Sequence, residues 1–274
     1  MKAIAAAAIL TGAYSIMGCV TAIDGEASAY NLDSAASQTQ TVNGMKPEYV
    51  RNARLLTDAR LRDQLLGNPL STSDLSPEIR SALRVDSNAD TLMAYIVRCA
   101  LPTDAELVAP SAQANGAEIR YPGQIGLAAG WAKGPADDEM RQWVSACVIA
   151  HTNYDAVHTK INLVGADSLG QGSSYDGFPV EEGTYWGDIF AADSEQKRFA
   201  CSINAPEMSR VCKGDSTYCG DYLHGSGSNK AIEPCTTTCI TKGDDEGKVH
   251  SSYFSDCKIG AEASSRTITV YRDQ

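Results

Sequence analysis

Nine cysteines and four histidines are the residues of this sequence with the widest range of possible chemistry. Cysteine forms disulfides, binds metals or acts as a nucleophile, and histidine acts as a base or as a metal ligand. Without Cys19, which lies near the amino terminus, the cysteines number eight. An even number favours four disulfides, although eight cysteines allow many pairings. The candidates are Cys99, Cys147, Cys201, Cys212, Cys219, Cys235, Cys239 and Cys257.

The spacing of these residues does not match the short patterns of metal sites. The sequence has no Cys-x-x-Cys and no His-Glu-x-x-His. A zinc or thiol redox site between Cys212 and Cys257, with His224 or His250 as a further ligand, is the alternative. Disulfides are favoured because exported cysteines oxidise. We therefore predict no metal site and no cofactor.

No motif of nucleophilic catalysis is present either. The Gly-x-Ser-x-Gly pattern is absent, and the glycine-rich stretch at 170–174 lacks the lysine of a phosphate-binding loop. His151 ends an apolar helical face, where a histidine that stabilises the helix end is the simpler interpretation. We predict no catalytic residue, so a non-enzymatic role is favoured. The rival hypothesis is an exported hydrolase that uses His151 or His158.

The first 19 residues, MKAIAAAAILTGAYSIMGC, have the organisation of a secretory signal. Lys2 precedes an apolar run at 3–10 that is too short to span about 30 Å of hydrocarbon. Residues 16–19 (IMGC) resemble the lipobox of bacterial lipoproteins. The resemblance implies that Cys19 becomes a lipidated amino terminus that holds the protein at a membrane. The alternative is a plain signal peptide, cleaved near Ala22, that releases a soluble protein.

Composition divides the rest of the chain into three parts. Residues 20–45 are rich in Ala, Ser, Thr and Gln, as in a flexible tether. Residues 46–198 carry helical and strand patterns and form the predicted α+β body. Residues 199–274 contain six cysteines and few large aliphatic side chains, which is typical of a disulfide-rich module. We expect a helical amino-terminal part that packs on a small antiparallel sheet, followed by this module and its C-terminal strand.

Helical spacing of apolar residues predicts four helices. They cover residues 47–67, a short segment from Pro77, a segment from Asp90 to Leu101, and a segment from Gly134 to His151. Cys99 and Cys147 each lie on the apolar stripe of their helix, so a Cys99–Cys147 bridge between two buried faces is the favoured first pairing.

Alternating patterns and turn residues predict the strands. The predicted segments are a hairpin over 117–127 around Pro122-Gly123, and strands at 158–164, 185–190, 199–203 and 266–272. Five aromatic residues lie near a glycine-rich stretch at 165–184. Core packing is favoured for them, and a contact surface for a carbohydrate or a protein is the alternative; they are Tyr175, Phe178, Tyr185, Trp186 and Phe190.

The charge excludes one class of partner. The formal net charge is −11, which argues against nucleic acid because phosphate binding needs a basic surface. The expected partners are therefore a membrane, through the lipid on Cys19, and a protein or carbohydrate ligand.

Several short segments also carry a resemblance to other proteins. They are 92–102 (LMAYIVRCALP), 126–128 (GLA) with 130–131 (GW), 143–147 (WVSAC), 152–153 (TN) and 185–190 (YWGDIF), followed by the cysteine-rich tail. Together they resemble a group of secreted proteins and lipoproteins of myxobacterial type, over most of residues 90–257. The resemblance implies an envelope address, whether outer-membrane-anchored, periplasmic or at the cell surface, and a disulfide framework. It implies no activity and no catalytic residue.

These expectations are tested by the intact mass of the protein extracted from its own membranes, with and without reduction and alkylation. We expect acyl mass on Cys19 and eight cysteines that are masked until reduction. Absence of lipid would contradict the anchor, and two or more free thiols with a bound metal would contradict the disulfide framework.

Overall fold

The computed structural model describes residues 40–42, 44–165, 169, 178–192, 197–203, 210–212, 223, 232–242 and 253–273. The signal segment with Cys19, most of the proposed tether, and Tyr175, Cys219, His224 and His250 lie outside the described residues. None of the described helices combines the length and the apolar composition needed to cross a bilayer.

Three short helices replace the single helix predicted over 47–67. They are α1 (Pro47–Asn52), α2 (Arg54–Thr57) and α3 (Ala59–Gly67), and Ala53 and Asp58 between them have extended backbone. The Asp58 carboxylate accepts hydrogen bonds from the backbone N–H groups of Arg60 and Leu61. An aspartate is more favourable as a helix cap than inside a helix, so Asp58 begins a new helix instead of continuing the old one.

The other three predicted helices are present as α4 (Pro77–Val85), α5 (Ser87–Ala100) and α6 (Asp138–Ala150). The short α7 (Cys235–Thr238) and a 3₁₀ turn at Ala129–Ala132 were not predicted. The start of α5 differs from the prediction, because Asp86 caps it and Asp90 is buried inside it. The Asp90 carboxylate accepts hydrogen bonds from the hydroxyls of Ser111 and Tyr121, both at 2.6 Å.

An antiparallel sheet of five strands forms the second half of the core. Its strands are β1 (Gln40–Val42), β4 (Lys160–Val164), β5 (Val180–Asp188), β6 (Lys197–Ser202) and β11 (Ile268–Arg272), in the order β1-β4-β11-β5-β6. All four pairings are antiparallel. With the helices, this confirms the predicted α+β class.

The sheet also shows that two predicted boundaries differ from the fold. β11 lies at the centre of the sheet, between β4 and β5, and β6 forms its edge, so segment 199–274 supplies strands to the body. At the other end, β1 pairs with β4 and Met45 is fully buried, so the folded part begins before residue 46. Strand pairing between segments that are distant in sequence therefore determines these boundaries, and the change in composition does not.

Three small antiparallel pairs complete the strands. They are β2 (Glu106–Pro110) with β3 (Glu118–Pro122), β7 (Ile240–Lys242) with β8 (Tyr253–Ser255), and β9 (Cys257–Ile259) with β10 (Glu262–Ser264). The hairpin predicted over 117–127 is therefore wrong. The turn lies before β3 instead, where Asn115 and Gly116 adopt left-handed backbone with φ of 53° and 81°.

Disulfides join helices and strands that are distant in sequence. Cys99–Cys147 links α5 to α6, as predicted, and its chain closure is worth about 4 kcal/mol in the entropy model. Cys201–Cys235 and Cys239–Cys257 link β6, α7 and β9. Cys212 is also disulfide-bonded. The chain is therefore disulfide-rich, as expected.

The aromatic residues near the glycine-rich stretch belong to the core. Phe178, Tyr185, Trp186 and Phe190 are all buried, with exposures of at most 6%. For these four residues the core-packing interpretation is confirmed and the contact-surface alternative is wrong. The ring of Trp186 stacks on Phe199 at 5.9 Å between centroids.

Gly187 of β5 generates a sharp prediction about stability. Its φ is +141°, and a Cβ built there would lie 2.0 Å from the backbone oxygen of Lys197. Gly187→Ala is expected to lower the free energy of unfolding by roughly 3 kcal/mol, because both the backbone strain and the clash with β6 must be relieved. Chemical denaturation measures this change.

The matched control is Gly67→Ala in α3, where an added Cβ meets nothing within 4 Å. We expect this variant to gain about 0.5–1 kcal/mol, because alanine favours the helix. Equal stability of the two variants would contradict the β5–β6 geometry.

Candidate functional site

A cleft of about 580 Å³, which we call the main cleft, lies on the surface of the described part of the chain. Three separate parts of the chain form it: the segment 127–130, the first two turns of α6, and the C-terminal segments 253–256 and 265–266. Its volume lies in the range of small-molecule and peptide-side-chain sites. The first two segments are neighbours in sequence, within residues 127–143, and the C-terminal segments lie more than 100 residues further on.

One wall is the amino-terminal end of α6. Asp137 caps this helix, and its carboxylate accepts a hydrogen bond of 2.7 Å from the backbone N–H of Met140. Glu139 follows in the first turn and pairs with Arg266 at 2.9 and 3.0 Å. This pair ties α6 to the segment before β11. It also leaves the Glu139 side chain 59% exposed at the cleft.

The opposite wall follows β8. Tyr253 and Ser255 line it, and Asp256 lies at its end with a left-handed φ of 49°. The Ser255 hydroxyl donates a hydrogen bond of 2.9 Å to the Asp256 carboxylate. Cys257, the next residue, is fixed by its disulfide to Cys239. Aspartate tolerates this backbone conformation better than most residues, so the turn presents a carboxylate where the cleft begins.

The floor of the main cleft is apolar and aromatic. Trp143 contributes from α6 and is 7% exposed, and Leu127 and Ala128 are also buried. The Met140 side chain occupies the space beside Gly130, because a Cβ there would lie 2.5 Å from its methyl carbon. Aromatic surface below exposed charges provides both a hydrophobic contact and a π face for a cation.

The charged groups that line the main cleft are mostly negative. Asp137, Glu139 and Asp256 supply three carboxylates, and Arg266 supplies one positive group, so the lining carries a formal charge of −2. The chain itself carries −11. The cleft therefore favours ligands with positive groups, both locally and at long range.

A second cleft of about 160 Å³ lies behind β10 and is lined by Trp186, Gly187, Asp188, Lys197 and Glu262 among others. Lys197 and Glu262 form an ion pair of 2.8 Å across it. Burial raises the pKa of Asp188, and Arg141 at 3.5 Å offsets part of this rise. Among the described residues, the buried indole nitrogen of Trp186 has no hydrogen-bond partner. This cleft is too small for more than a few atoms of a ligand.

His151 is part of the core and does not line either cleft. Its side chain is completely buried at the carboxyl end of α6. Nδ1 lies 2.8 Å from the backbone oxygen of Cys147, and since a carbonyl only accepts, Nδ1 carries the proton. The same nitrogen lies 3.6 Å and 3.9 Å from the sulfurs of Cys147 and Cys99.

The surroundings of His151 favour its neutral form. Burial first, and then the positive charges of Arg98 and Arg210, lower the pKa of His151 to about 3. The backbone oxygen of Cys147 opposes this effect only in part. A histidine that stays neutral and enclosed does not serve a substrate in a cleft. The hydrolase hypothesis based on His151 therefore has no support in this geometry.

A buried ion pair lies beside this histidine. Arg210 donates two hydrogen bonds of 2.8 Å to the Glu182 carboxylate, which also accepts one from the Tyr185 hydroxyl. Arg210 further donates to the backbone oxygen of Thr152, just after α6. Because Glu182 is fully buried, the guanidinium compensates its charge and at the same time satisfies a carbonyl at the helix end.

The predicted cysteines and histidines therefore have structural positions, and the residues of the main cleft were not among the predicted ones. The cysteines Cys99, Cys147, Cys201, Cys235, Cys239 and Cys257 form disulfides within the described residues. His158 is exposed beside Gly44, while His151 is buried. Sequence reasoning missed the residues of the main cleft; the acidic first turn of α6 was the one available signal. They are Asp137, Glu139, Trp143, Tyr253, Asp256 and Arg266.

Two clusters of described residues have the composition of metal ligands. They are Cys99, Cys147 and His151, and Cys201, Cys239 and Cys257. Every cysteine in both clusters is disulfide-bonded, so these sulfurs are not thiolate ligands in this state.

Comparisons with family models, with curated proteins and with solved structures give no match for this chain. The resemblance to secreted proteins and lipoproteins of myxobacterial type stays a prediction.

The burial of His151 predicts how stability depends on pH. Because its folded pKa of about 3 lies below the unfolded value of 6.5, the unfolded chain takes up a proton that the folded chain refuses. Stability contributed by the neutral histidine is therefore lost as the pH falls below 6.5. Between pH 7 and pH 5 this loss is about 2 kcal/mol.

The measurement compares chemical denaturation of the wild type and of His151→Gln at pH 7, 6 and 5, with disulfides intact. The glutamine variant is expected to lack this part of the pH dependence, whatever its absolute stability. Parallel curves for the two proteins would show that His151 titrates normally.

Proposed function

We propose that this chain is an exported, lipid-anchored protein of the bacterial cell envelope that binds a basic peptide segment of a partner protein in the main cleft. The role is one of binding, and the disulfide framework holds the binding surface in shape. The observation that carries the binding role is the main cleft, with three carboxylates and one arginine around aromatic side chains.

The proposed address rests on two features. The disulfides are compatible with an oxidising compartment, where such bonds persist. The segment 16–19 (IMGC) resembles a lipobox, which supports lipidation of Cys19. The acyl mass described above tests this half of the proposal without reference to any ligand.

The chemistry of the cleft supports a cationic ligand. An ammonium or guanidinium group that enters it meets Glu139 and Asp256 at the rim, the ring of Tyr253 in the wall and that of Trp143 in the floor. Ion pairing at the rim and cation–π contact at the floor act on the same group. The methylene part of a lysine side chain would cover the apolar floor at Leu127.

The arrangement also predicts how tightly such a ligand is held. The carboxylates at the rim are solvent-exposed, and exposed ion pairs contribute about 0.2–1 kcal/mol each. Several of them act together with long-range attraction, which mainly raises the association rate. We therefore expect binding that is rapid and weakens as salt rises.

A tetralysine peptide is the probe, and its dissociation constant is measured by calorimetry at low ionic strength. Glu139→Gln and Asp256→Asn should each weaken binding by about two- to fivefold, because each removes one exposed carboxylate. Arg266→Gln should strengthen binding by a similar factor, because it removes the positive group of the cleft. Asparagine is chosen at position 256 since it also tolerates positive φ.

The control is Glu118→Gln, which removes an exposed carboxylate paired with Arg80 outside the main cleft. Its affinity should equal that of the wild type. If Glu118→Gln weakens binding as much as Glu139→Gln, the peptide binds through the overall negative charge and the proposed site is wrong. If a neutral oligosaccharide binds in the main cleft and tetralysine does not bind, the ligand class is a carbohydrate and not a basic peptide.

A further inference from the structure

Four cysteines from three parts of the chain meet beside the edge of the sheet. Cys201 lies in β6, Cys235 begins α7 and Cys239 follows its last residue, and Cys257 begins β9. They pair as Cys201–Cys235 and Cys239–Cys257. The sulfur of Cys201 lies only 3.5 Å from the sulfur of Cys239, which belongs to the other disulfide.

Three of these sulfurs form one cluster. The Sγ atoms of Cys201, Cys239 and Cys257 all lie within 4.8 Å of one another. The fourth, that of Cys235, is bonded to Cys201. A thiolate generated at Cys239 would therefore already touch a sulfur of the neighbouring disulfide, which is the contact that thiol–disulfide exchange requires.

We propose that these four cysteines form a thiol–disulfide exchange centre. An external dithiol attacks Cys239, and the Cys239 thiolate that is released afterwards forms a new disulfide with Cys201. This activity does not depend on the lipid on Cys19.

Burial decides where the external thiolate attacks. Cys201, Cys235 and Cys257 are completely buried, whereas Cys239 is half-buried. The first thiolate of the dithiol bonds to Cys239 and expels the Cys257 sulfur, which takes up a proton. The second thiolate of the dithiol then attacks the first sulfur of the same dithiol, which is bonded to Cys239 in this mixed disulfide. It closes a cyclic disulfide and releases Cys239 as a thiolate.

The second stage is intramolecular. The Cys239 thiolate bonds to the Cys201 sulfur, the Cys201–Cys235 bond breaks, and the electron pair leaves on Cys235, which takes up a proton. One dithiol is oxidised to a cyclic disulfide, and the protein is left with a Cys201–Cys239 bond and thiols at Cys235 and Cys257. The Thr238 hydroxyl lies 3.6 Å from the Cys239 sulfur but donates its hydrogen bond to the backbone oxygen of Pro234 at 3.2 Å, so it must rotate away from Pro234 to donate to the thiolate.

Two single substitutions test the transfer without any reductant. Cys257→Ser leaves Cys239 without its partner, and Cys235→Ser does the same to Cys201. Both are expected to contain the same new Cys201–Cys239 bond, so the free thiol shifts to Cys235 in the first variant and to Cys257 in the second. After acid quenching, alkylation in denaturant and digestion without reduction, mass spectrometry identifies the linked and the labelled peptides.

The matched control is Cys147→Ser, whose freed Cys99 lies beside the imidazole of His151. Its label should stay on Cys99 while Cys201–Cys235 and Cys239–Cys257 remain native. Label that stays on Cys239 in Cys257→Ser, with Cys201–Cys235 intact, would overturn the proposal. In Cys257→Ser or Cys235→Ser, a bond from Cys239 to any cysteine other than Cys201 would also overturn it.

The wild-type protein provides a second measurement that does not depend on the folding of variants. One equivalent of dithiothreitol is added to the native protein before the same quench and mapping. The proposal predicts label on Cys235 and Cys257 together with a Cys201–Cys239 bond. Label on Cys239 and Cys257 with Cys201–Cys235 unchanged would overturn it.

Discussion

The covalent link between α5 and α6 is the constraint on which the rest of this structure depends. Cys99 and Cys147 occupy the buried faces of the two helices, and their disulfide fixes one helix against the other. α6 in turn covers β5, the neighbour of the central strand β11. Its buried end holds His151 against the disulfide, and its exposed end forms a wall of the main cleft. One helix therefore connects the stability of the core with the shape of the candidate site.

The two ends of α6 are opposite in their electrostatics. At the buried end, Arg210 satisfies a carbonyl just after the helix and compensates the charge of Glu182, while His151 stays neutral. At the exposed end, Asp137 caps the helix and Glu139 follows in its first turn, where the helix dipole favours carboxylates. The same local preference that begins the helix thus supplies the negative charge of the cleft. Arg266 pairs with one of these carboxylates and joins the cleft to the central strand β11.

Local patterns predicted those parts of the fold that local interactions determine. The apolar stripe of α5 and that of α6 placed Cys99 and Cys147 on buried faces, which was enough to pair them. The hairpin over 117–127 was wrong because strand β3 pairs with β2 through a turn that begins at Ser111, and the Pro-Gly signal marks the end of β3 instead. The central position of β11 is a long-range pairing that its own sequence does not specify.

The main cleft was beyond sequence reasoning for a related reason. Its residues come from two regions, 127–143 and 253–266, that are more than a hundred positions apart. Each residue alone has an ordinary structural explanation: Asp137 as a helix cap, Trp143 as core, Asp256 as a turn residue. The contact between Cys201 and Cys239 is equally a product of topology, since β6 and α7 meet only in the folded chain. The sequence indicates the local structure of each segment, whereas the tertiary fold determines which segments come into contact.

Hydrogen exchange of the full chain, with and without tetralysine, tests the central claim that the main cleft is the binding surface. The account predicts that the peptide slows exchange in the first two turns of α6 and in segments 127–130 and 253–266. Exchange in α4 and in the β2–β3 pair, which carry the carboxylates of Glu78, Glu106 and Glu118 outside the cleft, should not change. Protection spread over all acidic surfaces, or confined to segments outside the cleft, would contradict the account.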